Sequence, residues 1–180
     1  MTWAGSAALG QSQSDFTTVV WPAVQDVCGG GTLVPVESVA QTEFAKQLDM
    51  LSGIDAWQVL PYGSVGEVMR GIACRVQQGP KGWDTFTVRR SVKKGRPTEW
   101  HKRVAAMDGH GILTPHLVIQ GYVSDGSLVS AGVAKMSDVI AAIHPDSTLW
   151  RVNPQDGSTF WVVPFGDVPG CVTVSKGAPR

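Results

Sequence analysis

The chain has 180 residues, a length typical of one domain, and 43% of them are apolar, which is enough for a packed core. Charged residues make up only 17%, so long solvent-exposed helices are not expected, and the formal net charge is zero. No apolar run reaches the roughly 18 residues of a membrane-spanning helix, and the N-terminus lacks the basic start of a signal peptide. The three cysteines contain no CxxC pair. These features predict a cytoplasmic protein with no membrane partner.

The first part of the chain predicts a tail followed by helices. Residues 1–13 are small and polar and are expected to form a flexible tail, so that a single α/β domain spans residues 14–175. A short helix is expected within residues 15–27. Apolar residues then recur every three or four positions, which predicts an amphipathic helix that ends at Gly53. Its apolar stripe consists of Val36, Val39, Ala40, Phe44, Leu48 and Leu51.

Strand patterns dominate the middle of the chain. Strands are predicted over residues 54–60, 68–77, 83–92 and 116–123. A hairpin-like turn at residues 78–82 joins the second strand to the third, and a second helix begins near Pro97. Alternation in the second strand separates two faces. Ile72, Cys74 and Val76 belong to one face, and Ala73, Arg75 and Gln77 belong to the other.

A C-terminal helix and hairpin are expected within residues 128–165. The helix is predicted over residues 138–143, and the hairpin strands over residues 149–152 and 159–163, around the turn residues Asp156 and Gly157.

The segment from Arg70 to Arg103 is strongly basic, although the whole chain is neutral. It holds ten lysines and arginines against only Asp84 and Glu99, so its net charge is +8. Such asymmetry predicts one surface that faces an anion, most plausibly a nucleic-acid backbone. The side chains expected to contact nucleic acid are Lys81, Arg89, Arg90, Lys93, Lys94, Arg96, Lys102 and Arg103.

Over residues 36–123 the predicted elements follow the order helix, three strands, helix, strand. A few acidic and basic residues lie at particular positions in this order. Glu43, or less favourably Glu37, lies on the first helix, Asp55 begins the first strand, and Ala73-Cys74-Arg75 lies on the second. In this respect the chain resembles the PD-(D/E)XK nuclease-like superfamily. The resemblance implies a restriction-endonuclease-like α/β fold, with an α-β-β-β-α-β core and a central mixed sheet of four or more strands. It also implies Mg²⁺-dependent phosphodiester hydrolysis, with Asp55 and Glu43 as metal ligands.

The match departs from the family pattern at Ala73, which stands where the family has a second metal-binding acid. Arg75 takes the place of the family lysine, but it stays protonated and cannot act as a base. Gln77 lies on the same face and is a candidate for positioning a water or a phosphate. Glu99 on the second helix could supply the missing carboxylate, with Glu67 a weaker candidate.

Structural interpretations of the same residues remain open. Asp55 follows a helix end and could simply accept hydrogen bonds from local backbone groups. Arg75, as a charge within a sheet, needs a carboxylate partner, for which Asp55 is a candidate, or a ligand. Trp83 and Trp100 could stack on bases, although the position of Trp100 in the helical stripe favours a core role.

Three functions are consistent with these patterns. The first is a nuclease-like protein that binds nucleic acid, DNA in preference to RNA, and hydrolyses it with Mg²⁺. The second is an inactive member of that fold that only binds nucleic acid, as the substitution at Ala73 suggests. The third is a structural or interaction subunit of a larger protein assembly, which the seven tryptophans and the low charge would suit.

Overall fold

The computed structural model describes residues 11–36, 52–64, 66–92, 97–109, 113–154 and 156–175. The strands in these residues are β1 (Thr32–Pro35), β2 (Ala56–Tyr62), β3 (Gly66–Gln78), β4 (Thr85–Ser91), β5 (Leu117–Ser124), β6 (Ser127–Lys135), β7 (Trp150–Val152), β8 (Thr159–Pro164) and β9 (Val172–Ser175). The helices are α1 (Trp21–Val24), α2 (Glu99–Met107) and α3 (Met136–Ala141). A π-helical segment, Phe16–Val20, precedes α1. No helix within the described residues is long and apolar enough to cross a membrane.

A six-stranded mixed sheet forms the centre of the fold. Its strand order is β1-β2-β3-β5-β6-β9, with β3 and β5 parallel and the other neighbours antiparallel. The parallel pair requires a crossover, which runs through β4 and α2. The predicted α/β class and mixed sheet of four or more strands are therefore confirmed.

The predicted third strand lies in a different sheet from the one that the sequence suggested. β4 pairs with β8, and β7 pairs with the other side of β8, giving a three-stranded sheet of order β4-β8-β7. The predicted hairpin of β7 and β8 is confirmed. The expected hairpin between β3 and β4 is wrong, because β4 leaves β3 after the turn and buries Phe86 and Val88 in a second layer.

The strand beside β2 in the central sheet is β1, which the sequence pattern did not predict. Gly31 allows the chain to enter β1, since it has a φ of 82° and an added Cβ would lie 2.4 Å from the carbonyl oxygen of Val59. The predicted helix that begins at Val36 lies almost entirely outside the described residues.

Both faces of the central sheet are covered. One face packs on the N-terminal helix, defined as residues 11–24, which includes the π-helical segment and α1. Phe16, Val20 and Val24 of this helix are buried against Ile72 and Ile119 of the sheet. Burial of each such side chain contributes about 1.5–3 kcal/mol. Residues 11–13, which the sequence assigned to a flexible tail, are helical.

The opposite face of the central sheet packs on the three-stranded sheet together with α2 and α3. Ala73, Val118 and Tyr122 of the central sheet share this core with Phe86 of β4 and Val139 of α3. The alternation predicted for β3 is therefore confirmed, because Ile72 contributes to the first core and Ala73 to the second. This arrangement places Arg75 in the space between the two sheets.

Candidate functional site

Arg75 and Glu99, two of the predicted catalytic residues, form an ion pair between the sheets. The Nη2 atom of Arg75 lies 3.2 Å from Oε2 of Glu99, and the two side chains are only 27% and 21% exposed. Glu99 is the first residue of α2, and Thr98 before it is buried and donates from Oγ1 to the carbonyl oxygen of Arg90 at 3.1 Å. That hydrogen bond fixes the start of α2 against the end of β4 and directs Glu99 inward.

A second arginine, which is itself buried, completes a triad around Glu99. The Nη2 atom of Arg103, one helical turn further along α2, donates to Oε1 of Glu99. The backbone N–H of Arg89 also donates to Oε2, at 3.1 Å. Burial raises the pKa of Glu99, but the charges of Arg75 and Arg103 and the bond from Arg89 outweigh it, so the pKa lies below its ordinary value. Glu99 therefore stays ionised and fully engaged.

The remaining contacts of Arg75 link the two sheets. Its Nη1 atom donates to the carbonyl oxygen and to Oγ1 of Thr87, at 3.3 and 3.1 Å. The Thr87 hydroxyl in turn donates to Oε1 of Gln120 at 3.0 Å. The guanidinium also lies 4.9 Å from the ring centroid of Phe160, within the range of a cation–π contact. Both terminal nitrogens of Arg75 therefore donate hydrogen bonds to groups within the protein.

Asp55 lies beside β3 but makes a backbone contact there. Because Ala56 pairs with Ile72, Asp55 lies next to Ala73. Its Oδ2 atom accepts a hydrogen bond from the backbone N–H of Cys74 at 2.7 Å. The donor lies 19 residues along the chain on β3, so this is a contact between strands and not the local backbone bond that the sequence suggested.

The described residues around Asp55 do not fit a magnesium site. Ala73 is 3% exposed and packs in the core between the sheets, so the position of the second acid is apolar and closed. Across the described ranges, no three His, Cys, Asp or Glu side chains lie together as metal ligands would. Gln77 is half-buried and Glu67 is exposed. Glu43 and Glu37, the helical candidates, lie outside the described residues.

The residues predicted to contact nucleic acid fall into three groups. Lys81 and Arg89 are exposed, whereas Arg90 and Lys102 are half-buried. Arg103 is only 3% exposed and belongs to the triad. The other three, Lys93, Lys94 and Arg96, lie outside the described residues.

Several residues that the sequence analysis missed contribute to this region. Thr87, Gln120 and Phe160 surround Arg75, and Trp150 and Trp161 surround Arg90. The tryptophans belong to β7 and β8, and the pairing of β8 with β4 is a long-range contact that a local pattern does not encode. The alternation of Thr85, Thr87 and Arg89 with Phe86 and Val88 marked two faces but not their neighbours.

Comparison with known proteins gives no relative from which a function could be inferred, so the interpretation rests on the geometry of the site. No protein-family model, no curated protein sequence and no solved structure matches the chain.

Proposed function

We propose that this protein binds nucleic acid through the basic segment 70–103, and that its nuclease-like positions hold the fold together in place of cleaving phosphodiesters. The observation that carries the proposal is the Arg75–Glu99–Arg103 triad. The triad contains Arg75 and Glu99, the two residues best suited to replace the missing motif groups. Among the described cations of the segment, Lys81 and Arg89 are exposed.

The strand arrangement keeps part of the order that the resemblance implies. The predicted first, second and fourth strands are β2, β3 and β5 of the central sheet, and α2 precedes β5. The predicted third strand, β4, lies in the three-stranded sheet, and the predicted helix before β2 lies almost entirely outside the described residues. The resemblance also favours DNA over RNA as the ligand.

Two features argue against hydrolysis in this framework. A Mg²⁺ site needs several hard oxygen ligands, and the neighbour of Asp55 on β3 is the buried methyl group of Ala73. Arg75, in the position of the family lysine, donates to Glu99 and Thr87. The protein is therefore tested on nucleic acid with and without Mg²⁺, and Mg²⁺-dependent cleavage would restore the enzymatic hypothesis.

Charge reversal tests the binding surface. We expect Lys93→Glu, Lys94→Glu and Arg96→Glu together to reduce DNA affinity at low salt by more than tenfold, because phosphate contacts dominate non-specific affinity. The matched control reverses three cations outside the segment, Lys135, Lys176 and Arg180. Fluorescence anisotropy with labelled single- and double-stranded DNA measures both variants. Equal affinities of the two triple variants would refute the assignment of the binding surface.

A further inference from the structure

The three-stranded sheet carries a ladder of aromatic rings and a guanidinium that runs from the core to the surface. Trp100 of α2 packs edge-on against Trp161, with ring centroids 6.2 Å apart. The guanidinium of Arg90 lies 4.8 Å from the centroid of Trp161 and 5.2 Å from that of Trp150. Because Trp161 pairs directly with Trp150 across the strands, Arg90 reaches over β8 to β7.

The two ends of this ladder differ in exposure. Trp161 is 3% exposed, whereas Trp150 is 46% exposed, and its neighbours Leu149 and Val152 are 51% and 52% exposed. A large indole that is oriented by Arg90 and still half open to solvent offers a pre-arranged π surface. Another flat π system could stack on the exposed part of the Trp150 indole.

Charge around β7 favours an anionic ligand. Arg151, next to Trp150, is exposed and pairs with Phe160 on β8. Arg89 is also exposed, and its guanidinium lies 5.4 Å from the same Phe160 ring. Asp156 in the β7–β8 hairpin opposes them, since hydrogen bonds from Ser158, and to a lesser extent the charge of Arg89, lower its pKa and keep it charged. Glu99 also accepts a hydrogen bond from the backbone of Arg89, but it is paired with Arg75 and Arg103. Arg89 and Arg151 therefore carry more positive charge than Asp156 balances.

We infer that Trp150 is a stacking platform for an unpaired base, so that the preferred ligand of this protein is single-stranded nucleic acid. This inference rests on the proposed function. A base in a duplex has both faces covered by its neighbours, whereas an unpaired base can stack on an indole while arginines contact its phosphates. The exposed apolar residues of β7 would also suit a protein partner, but Arg90 against the indole and the exposed Arg151 favour the polyanion. Arg151 projects from the face opposite Trp150, so a strand stacked on the indole would reach it around β7, which is the edge strand of its sheet.

The test compares Trp150→Ala with Trp150→Phe and Tyr62→Ala, using an oligothymidylate of about 15 nucleotides and a duplex of similar length. Tyr62 is the matched control because it is an aromatic residue that is 61% exposed and ends β2, outside the basic segment. We expect Trp150→Ala to lose about tenfold in single-strand affinity, with Trp150→Phe close to wild type. Tyr62→Ala and all duplex affinities should stay within about twofold of wild type.

Salt dependence separates stacking from charge. Loss of a base stack should lower affinity at every salt concentration without changing the log–log slope, because it removes no phosphate contact. Far-UV circular dichroism confirms that each variant is folded.

Wild-type single-strand affinity in Trp150→Ala would overturn the inference while leaving the proposed function intact. If that variant also lost self-association in sedimentation, β7 would be assigned to a protein contact. Absence of any nucleic-acid binding by the wild-type chain at low salt would instead refute the proposed function itself.

Discussion

At the scale of single residues, Glu99 is the side chain on which the interior polar network depends. It accepts hydrogen bonds from Arg75 of β3, Arg103 of α2 and the backbone of β4, so it joins a helix to both sheets. Each arginine would be costly to bury without it, since an unpaired charge between two sheets loses most of its hydration. The triad therefore explains why a nearly neutral fold tolerates cations in its interior.

Removal of the Glu99 charge should destabilise the fold. We expect Glu99→Gln to lower the free energy of unfolding by about 3 kcal/mol, because it leaves Arg75 and Arg103 without a counter-charge. Urea unfolding measures the change. Glu67→Gln, the same chemical change at an exposed position of β3, serves as the control and should alter stability by less than about 0.5 kcal/mol. A Glu99→Gln protein as stable as wild type would contradict the account.

The same residue predicts a direction for the pH dependence of stability. The pKa of Glu99 in the fold lies below its ordinary value of 4.5, so the unfolded chain takes up the proton first as pH falls. The stabilisation is complete above the ordinary value and is lost as pH falls through the lower pKa of the folded state. Urea unfolding from neutral pH to about pH 3 should show the difference between wild type and Glu99→Gln shrinking only in the acid range. A difference that shrinks near neutral pH would contradict this assignment.

At the scale of elements, the sequence predicted most strands and helices but not all of their partners. Strand patterns identified β2, β3, β4 and β5, and the apolar stripe with Trp100 identified α2. The alternation within a strand says which residues share a face, but not which strand lies alongside, so β4 was assigned to the wrong sheet. β1 was missed because it is only four residues long, half-exposed and ends in proline.

The candidate site was predictable to a similar extent. Residue chemistry singled out Arg75 as a charge that needs a carboxylate partner and named Asp55 as the candidate, but the fold supplies Glu99. Their surroundings could not be predicted, because Thr87, Gln120 and Phe160 come from three strands that meet only in the tertiary structure.

Close packing of the N-terminal helix on the central sheet requires the glycine at position 121. An added Cβ there would lie 2.6 Å from Cγ2 of Val20. We expect Gly121→Ala to lower the free energy of unfolding by about 1–3 kcal/mol through overpacking. Val20→Ala should relieve the clash, so the double variant should lose less than the sum of the single losses.

Gly166→Ala is the control for this prediction, because an added Cβ there meets no atom within 4 Å and should have little effect. Urea unfolding of the four variants gives the comparison. Additive losses for Gly121→Ala and Val20→Ala would contradict the proposed contact.

At the scale of the whole molecule, part of the basic segment is used inside the fold. Arg75 and Arg103 belong to the triad, and Nη2 of Arg70 donates to Oε1 of Gln58 at 2.7 Å and to the carbonyl oxygen of Cys28. Of the ten cations in segment 70–103, at most seven others can contribute phosphate contacts. The formal charge of the segment therefore overstates its strength as a binding surface.

The number of cations that remain for phosphate contacts limits the salt dependence of DNA binding. Each phosphate contact contributes about 0.9 to the negative slope of log affinity against log salt for duplex DNA, so seven contacts give a slope of about −6 at most. Anisotropy titrations between about 50 and 200 mM salt measure the slope. A markedly steeper slope would require cations from elsewhere in the chain and would contradict the assignment of the surface.

The measurement that tests the central claim most directly is the anisotropy of an end-labelled single-stranded DNA, followed over time with the wild-type protein, low salt and Mg²⁺. A rise that then stays constant, as it does in a parallel sample with EDTA, is the predicted result, because it reports binding without cleavage. A rise followed by a Mg²⁺-dependent decay would show that the framework cleaves its ligand, and no rise in either sample would show that the protein does not bind nucleic acid.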